Sequence, residues 1–154
     1  MAWDAEFAEL WEGKKLIASW DKQPMSLAED SESGDVTAEL IDVGAGAADS
    51  DYVGKNVRGK LILASSQADG VAAIGVEKYG AAGIVSYAQN QHTGWWGENT
   101  ELVRWGHLDT FAPVKTFAFM CHLPRSSREP DAVFAVDVLD ESRAVKASGC
   151  AASP

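Results

Sequence analysis

Between Gly59 and Tyr87 the spacing of apolar residues changes twice, and the changes predict three consecutive elements. Leu61-Ile62-Leu63-Ala64 is an unbroken apolar run, the form a strand takes when both of its faces are covered. Next, Ala72, Ala73, Val76 and Tyr79 recur at i, i+1, i+4 and i+7, the spacing of a helix face. Asp69 is its expected N-cap, Lys78 sits in its last turn, and Gly80 is placed to end it in the left-handed conformation. Ile84-Val85 then opens a second buried strand. Strand, helix and strand within 29 residues (59–87) predict a βαβ unit with parallel strands and a right-handed crossover.

Outside this unit the patterns are shorter. Trp3, Phe7, Leu10 and Trp11 fall at i, i+4, i+7 and i+8, which predicts a short amphipathic helix with four large apolar groups on one face. Met25 to Asp35 reads as an acidic polar loop. Val36 to Val43 alternates like an edge or half-buried strand. Further strands are expected at Thr116 to Met120 and at Val133 to Val138. The sum is a small α/β domain of mixed α+β character: a mixed sheet or open barrel, the βαβ unit at 59–87, and flanking helices. Three segments are expected: an N-terminal amphipathic helical segment over 1–24, the main domain over 25–121, and a divergent tail over 122–154 that adds one strand. No internal repeat or low-complexity tract is present.

Composition narrows the classes. With 154 residues, 46% hydrophobic and 23% charged, the chain can bury a core without disulfide staples. Its 13 Lys+Arg against 23 Asp+Glu leave a net charge of −10, and no basic stripe interrupts it, so a nucleic-acid partner is not expected. No apolar run approaches bilayer-spanning length, so no membrane partner is expected either. The first nine residues carry acid where a secretory signal carries positive charge, so no signal peptide is expected within this chain, and the compartment stays open. Cys121 and Cys150, 29 positions apart, match neither a CxxC pair nor a zinc spacing, and free thiols are favoured over a disulfide.

Several motifs imitate known chemistry and fail on detail. Gly54 to Lys60 matches GxxxxGK, but Leu61 stands where a phosphate-binding loop needs Ser or Thr, and a strand follows where a helix should, so the segment reads as a turn feeding a strand. Gly44-Ala45-Gly46-Ala47-Ala48-Asp49 imitates a dinucleotide fingerprint equally poorly. Ser65 and Ser66 lack the glycine frame of a nucleophile elbow and read as turn caps. His92, His107, Asp109, Cys121 and His122 could contribute to a weak surface cation site at best, since no two histidines share a ligand spacing. Glu98 and Glu101 read as solvated rather than as an acid and base pair. No catalytic residue and no metal site is assigned. The segment Gln89 to His107 is different: it follows a parallel strand, where open α/β sheets collect ligands. Its His92, Trp95, Trp96, Arg104, Trp105 and His107 combine rigid aromatic area with polar donors. These six are the candidate binding residues; the competing reading is that the tryptophans seal the end of the core.

Asp51-Tyr52-Val53-Gly54-Lys55-Asn56-Val57-Arg58-Gly59-Lys60-Leu61-Ile62-Leu63-Ala64, followed by Glu77-Lys78-Tyr79-Gly80-Ala81-Ala82-Gly83-Ile84-Val85-Ser86-Tyr87, resembles the protease-associated domain. The similarity is to the version carried by bacterial co-catalytic zinc aminopeptidases, in the family of glutamate carboxypeptidase and the transferrin-receptor ectodomain. Gln91 to Trp96, Leu102 to Leu108 and Thr116 to Met120 extend it, so that it covers about Val36 to Met120. The resemblance implies a swivelling β/α domain that is not itself an enzyme and that shapes substrate access or mediates protein contacts for the peptidase. It implies two zinc ions in a parent enzyme, but the ligand motifs for them have no counterpart in this chain, and no cofactor is expected here. It also implies that the parent enzyme is secreted or periplasmic. The likeness stops after Met120. Eleven of the fourteen glycines lie from Gly44 to Gly106 and only Gly149 follows residue 121, so the tail reads as replaced sequence, for which a shifted reading frame is one origin.

The expected partners are a peptide or protein, or a peptidase domain from which this chain is separated. The rival reading is a stand-alone peptide- or carbohydrate-binding module that uses the Trp95/Trp96 loop; a hydrolase is the third, and lacks an assembled nucleophile and base. A homodimer is expected to cover the Trp3, Phe7, Leu10 and Trp11 face, because large exposed apolar patches are uncommon on monomers.

Overall fold

A computed structural model describes residues 5–23, 26–88, 106–121 and 133–140, with the side chains of 5, 6 and 137–140 excepted. Its strands are β1 (Ala5–Glu12), β2 (Lys15–Ser19), β3 (Gly34–Asp42), β4 (Leu61–Ala64), β5 (Gly83–Ser86), β6 (Ala118–Met120) and β7 (Val133–Asp140). One short helix, α1 (Ala68–Val71), continues as a π-helical turn over Ala72–Val76. Among the described residues the seven strands form one mixed sheet, in the order β2-β1-β7-β3-β4-β5-β6, curled into a nearly closed barrel. Strands β3 to β6 run parallel, and β7 joins them antiparallel to the β1–β2 hairpin.

The βαβ unit forms as its sequence predicts, with β4 and β5 parallel on either side of α1. The unbroken run Leu61–Ala64 is buried throughout because its alternate residues serve two cores. Leu61 and Leu63 join Leu40, Val85, Phe117 and Phe119 in the first; Ile62 and Ala64 join Ala68, Val71 and Val76 of the helix in the second. Each of the Leu, Ile and Val side chains among them contributes roughly 1.5–3 kcal/mol on burial. Gly80 ends the helical segment with φ 77°, as expected. The helix begins earlier than its sequence suggests, with Gln67 rather than Asp69 as N-cap. Gly54 and Gly59 take φ 73° and 70° in the turn that feeds β4.

A second set of contacts fastens the 43–52 loop to the helical segment. Tyr52 and Tyr79 stack at 4.7 Å with 14° between their planes, and the Tyr52 hydroxyl donates to the Gly46 carbonyl at 2.7 Å. Burial, with the nearby Asp51 carboxylate second, pushes the Tyr52 phenol up to about 12. Outside the stack, Asp49 Oδ1 accepts from Lys78 Nζ at 2.5 Å and from the Tyr79 hydroxyl at 3.0 Å.

Two expectations are corrected. The segment carrying Phe7, Leu10 and Trp11 is a strand, not a helix, and among the described residues the helical elements are α1 with its π turn and a 3-10 turn over Asp49–Tyr52, so the expected flanking α-helices are absent there. In β1, Ala8 and Leu10 point into the first core at 1% and 0% exposure, while Phe7 and Trp11 lie half-buried on the opposite side. Cross-strand pairing on both sides of β1 outweighs a helical spacing that seven or eight residues cannot separate from a strand's. Gly13, with φ 56°, takes the first of two turn positions between β1 and β2, where a type II′ hairpin uses glycine. The single apolar face expected to form a dimer interface therefore does not form: Leu10 is sealed inside the barrel, and Trp3 lies outside the described residues.

The strand expected at 133–138 is β7, and it pairs within the chain between β1 and β3. Strands from 1–24 and 122–154 thus share one sheet with those of 25–121. The acidic segment 25–35 lies lower in the structure than its polarity suggests. Leu27, Ala28 and Ser31 are buried there, because the strap pairs with β6: Ala28 N–H donates to the Ala118 carbonyl at 2.9 Å, and Ala118 N–H to Ser31 Oγ at 3.1 Å. The Ser31 hydroxyl donates onward to the Ala28 carbonyl at 2.7 Å, so its burial is compensated.

Candidate functional site

The strap also carries the residues that open the main cleft. Glu29 N–H donates to the Gly106 carbonyl and Leu108 N–H to the Glu29 carbonyl, each at 2.9 Å, so that 106–108 is laid alongside the strap. Asp30 follows with φ 64°, a left-handed conformation that aspartate tolerates better than most residues. Its Oδ2 accepts from Thr110 Oγ1 at 2.7 Å. The turn beyond is tied by Asp109: its Oδ1 accepts Phe111 N–H at 2.9 Å and its carbonyl accepts Ala112 N–H at 3.1 Å. Lys115 Nζ donates to the Thr110 carbonyl from the far side.

These segments and the start of α1 surround an open cleft of about 590 Å³. Glu29 and Asp30 come from the strap, Asp69 and Gly70 from α1, and His107 to Phe111 from the turn. Leu108 is the apolar floor at 5% exposure, whereas the Phe111 ring at the rim is 91% exposed. Among the described residues, four carboxylates and no lysine or arginine line the cleft. His107 Nε2 stands 3.6 Å from Asp69 Oδ2, a contact that becomes an ion pair when the imidazole is protonated. A recess of about 60 Å³ adjoins it, sharing Asp30, Asp69, Leu108 and Asp109 and adding Val114 and Lys115.

Of the six candidate binding residues, His107 lies in this cleft; His92, Trp95, Trp96, Arg104 and Trp105 lie outside the described residues, as do Glu98, Glu101 and His122. The segment that holds five of them leaves the described structure at Ala88 and returns at Gly106, and Ala88 and Leu108 belong to the same core. The described members of the tentative cation set do not converge: among the described residues no three His, Cys, Asp or Glu side chains meet in metal-binding geometry. Cys121 is a free, buried thiol, pushed by that burial up to about 12, which disfavours its thiolate near neutrality. Ser65 and Ser66 act through their backbone, donating to the carbonyls of Gly44 and Ala45 at 2.8 and 3.2 Å; the Ser66 carbonyl accepts from Ser86 Oγ at 2.6 Å. The cleft residues that sequence reasoning did not single out for a site are Glu29, Asp30, Phe111 and Asp69, the last expected only as a helix cap. The signal available for Phe111 was Asp109-Thr110-Phe111-Ala112-Pro113, an Asx turn with an aromatic at its tip.

No family model and no curated protein matches the chain. Solved structures do. A zinc aminopeptidase from Bacillus subtilis matches with a TM-score of 0.61 at 15% identity, over 91% of this chain and 31% of that one. An aminopeptidase from Aneurinibacillus sp. strain AM-1 matches with a TM-score of 0.57 at 21% identity, over 90% of this chain and 31% of its own. At these identities the likeness is one of fold. The chain spans about a third of the aminopeptidases whose fold it shares.

Proposed function

We propose that this domain is a non-catalytic, protease-associated-like part of a zinc aminopeptidase-type enzyme, in which it borders the route of polypeptides to the catalytic centre or contacts other proteins. The observation that carries this reading is the coverage: nearly all of this chain superposes on about a third of each aminopeptidase. The site chemistry is in keeping with it. The cleft offers carboxylates, one imidazole and an exposed ring, groups suited to contacting a polypeptide.

The test uses the whole chain with aminoacyl-4-nitroanilides, with and without added zinc, and in parallel a titration with an unfolded polypeptide such as casein followed by tryptophan fluorescence. The expected result is saturable polypeptide binding and release of nitroaniline no faster than in buffer. Zinc-dependent release that scales with protein concentration and stops on chelation overturns the reading, as does an absence of polypeptide binding.

A further inference from the structure

We propose that the Phe111 turn is an anchoring knob for a basic, apolar-centred polypeptide segment, which lies in the cleft with its aliphatic side chains on Phe111 and Leu108 and its cationic groups facing Glu29, Asp30, Asp69 and Asp109. The inference rests on the reading of this domain as one that contacts polypeptides, and it names the surface and the chemistry of the segment. The apolar feature carries it. A phenylalanine 91% exposed is held in water by a hydrogen-bonded turn, pinned through Thr110 to Asp30 on one side and through Lys115 on the other. Val114, 45% exposed in the adjoining recess, extends the same apolar line beside the buried Leu108. A pre-ordered aromatic next to a concave apolar floor loses little conformational freedom on binding, which is what interface anchors provide.

Charge selects the occupant. Among the described residues the larger cleft is lined by four carboxylates without a lysine or arginine, on a chain of net charge −10. Such a surface repels phosphate-bearing and acidic partners and attracts cationic ones. The carboxylates come from three separate segments, the strap, α1 and the 107–111 turn, and among the described residues no three of them meet in metal-binding geometry. That spacing suits the separate charges of Lys and Arg side chains along an extended chain better than a single ion.

The experiment is a titration of the isotope-labelled full chain with two acetylated, amidated peptides of equal length, one alternating Lys and Leu and the other Glu and Leu, read by amide chemical shifts. The blocked amino terminus removes any contribution from hydrolysis. The Lys/Leu peptide is expected to shift the amides of Gly70 and Leu108 to Phe111, the Glu/Leu peptide to leave them unmoved, and binding to weaken between about 50 and about 300 mM salt. Phe111→Ala is expected to lower affinity by roughly tenfold at unchanged melting temperature, and Asp69→Asn with Glu29→Gln to flatten the salt dependence. Equal binding of both peptides, shifts confined to other surfaces, or a Phe111→Ala loss below about threefold overturns the inference. Those outcomes leave the non-catalytic reading in place, whereas zinc-dependent nitroanilide release overturns that reading without touching the peptide titration.

Discussion

Replacing Phe134 with alanine tests the least expected feature of the sheet, the insertion of a strand from the tail between two N-terminal strands. Phe134 is 0% exposed, opposite Glu12 of β1 and Ala38 of β3, and it packs in the core that contains Leu10, Leu40 and Phe119. Truncating a buried phenylalanine costs about 3–5 kcal/mol once the cavity is counted, against a total stability of about 5–15 kcal/mol. For a domain of this size each kcal/mol lowers the melting temperature by about 2–4 °C, so the expected drop is roughly 6–20 °C. Val133 supplies the control. It precedes Phe134 in β7 and faces the other way at 49% exposure, and Val133→Ala should change stability by no more than about 0.5 kcal/mol. Guanidinium unfolding followed by tryptophan fluorescence gives both values, and an unchanged m-value confirms that the transition remains the same. Equal and small effects of the two substitutions, each below about 1 kcal/mol, would show that β7 does not lie between β1 and β3.

Gly83→Ala should destabilise by about 1–3 kcal/mol, because a Cβ there would collide with the Phe117 ring, whereas Gly70→Ala, with open space around it in α1, should be neutral or stabilise by up to about 1 kcal/mol; thermal melts of the two variants check the contrast. Asp49 should shape both limbs of the stability profile. Hydrogen bonds from Lys78 first and Tyr79 second hold its carboxyl below the usual 3.8, so its contribution is present above pH 3.8 and is lost as pH falls through the lowered value. Lys78, raised above 10.5 by the same hydrogen bond, contributes fully below pH 10.5 and loses that contribution as pH rises through its own value. The stability difference between wild type and Asp49→Asn should thus be level at intermediate pH and shrink at both ends; a difference that persists undiminished at about pH 2 would refute the assignment.

The parallel centre of the fold was legible in the sequence because its determinants are local. Four consecutive apolar residues from Leu61, a helical spacing, and Gly80 at the end of the helix lie within one unit and agree with one another. The N-terminal hairpin was not legible, because β1 owes its conformation to β7, more than 120 positions away, and no eight-residue pattern contains that partner. Gly13 was the one local cue. The strap at 26–32 could be recognised as irregular chain but not as buried, since the burial of Ser31 depends on Ala118. His107 ends an aromatic segment that the sequence marks and lines the cleft, whereas Phe111 stands in a short turn whose exposure depends on distant partners such as Asp30.

The walls of the cleft come from positions 29–30, 69–70 and 107–111, which no sequence motif spans, yet each is tied to the parallel part of the sheet, directly or through the strap. Asp69 follows β4 by five residues, and the strap is hydrogen-bonded to β6 and to 106–108. The carboxylates are therefore held at set separations, whereas the same residues on independent loops would collapse onto one partner or spread apart in solvent. Fixed spacing matters because selectivity at such a surface depends on matching several weak contacts at once, each of little energetic consequence alone. On the proposed reading, the domain influences which polypeptides pass a neighbouring catalytic centre by favouring cationic, apolar segments and repelling acidic ones. On the same reading, the solvent-exposed ring of Phe111 adds an apolar contact that salt does not screen as it screens the carboxylates.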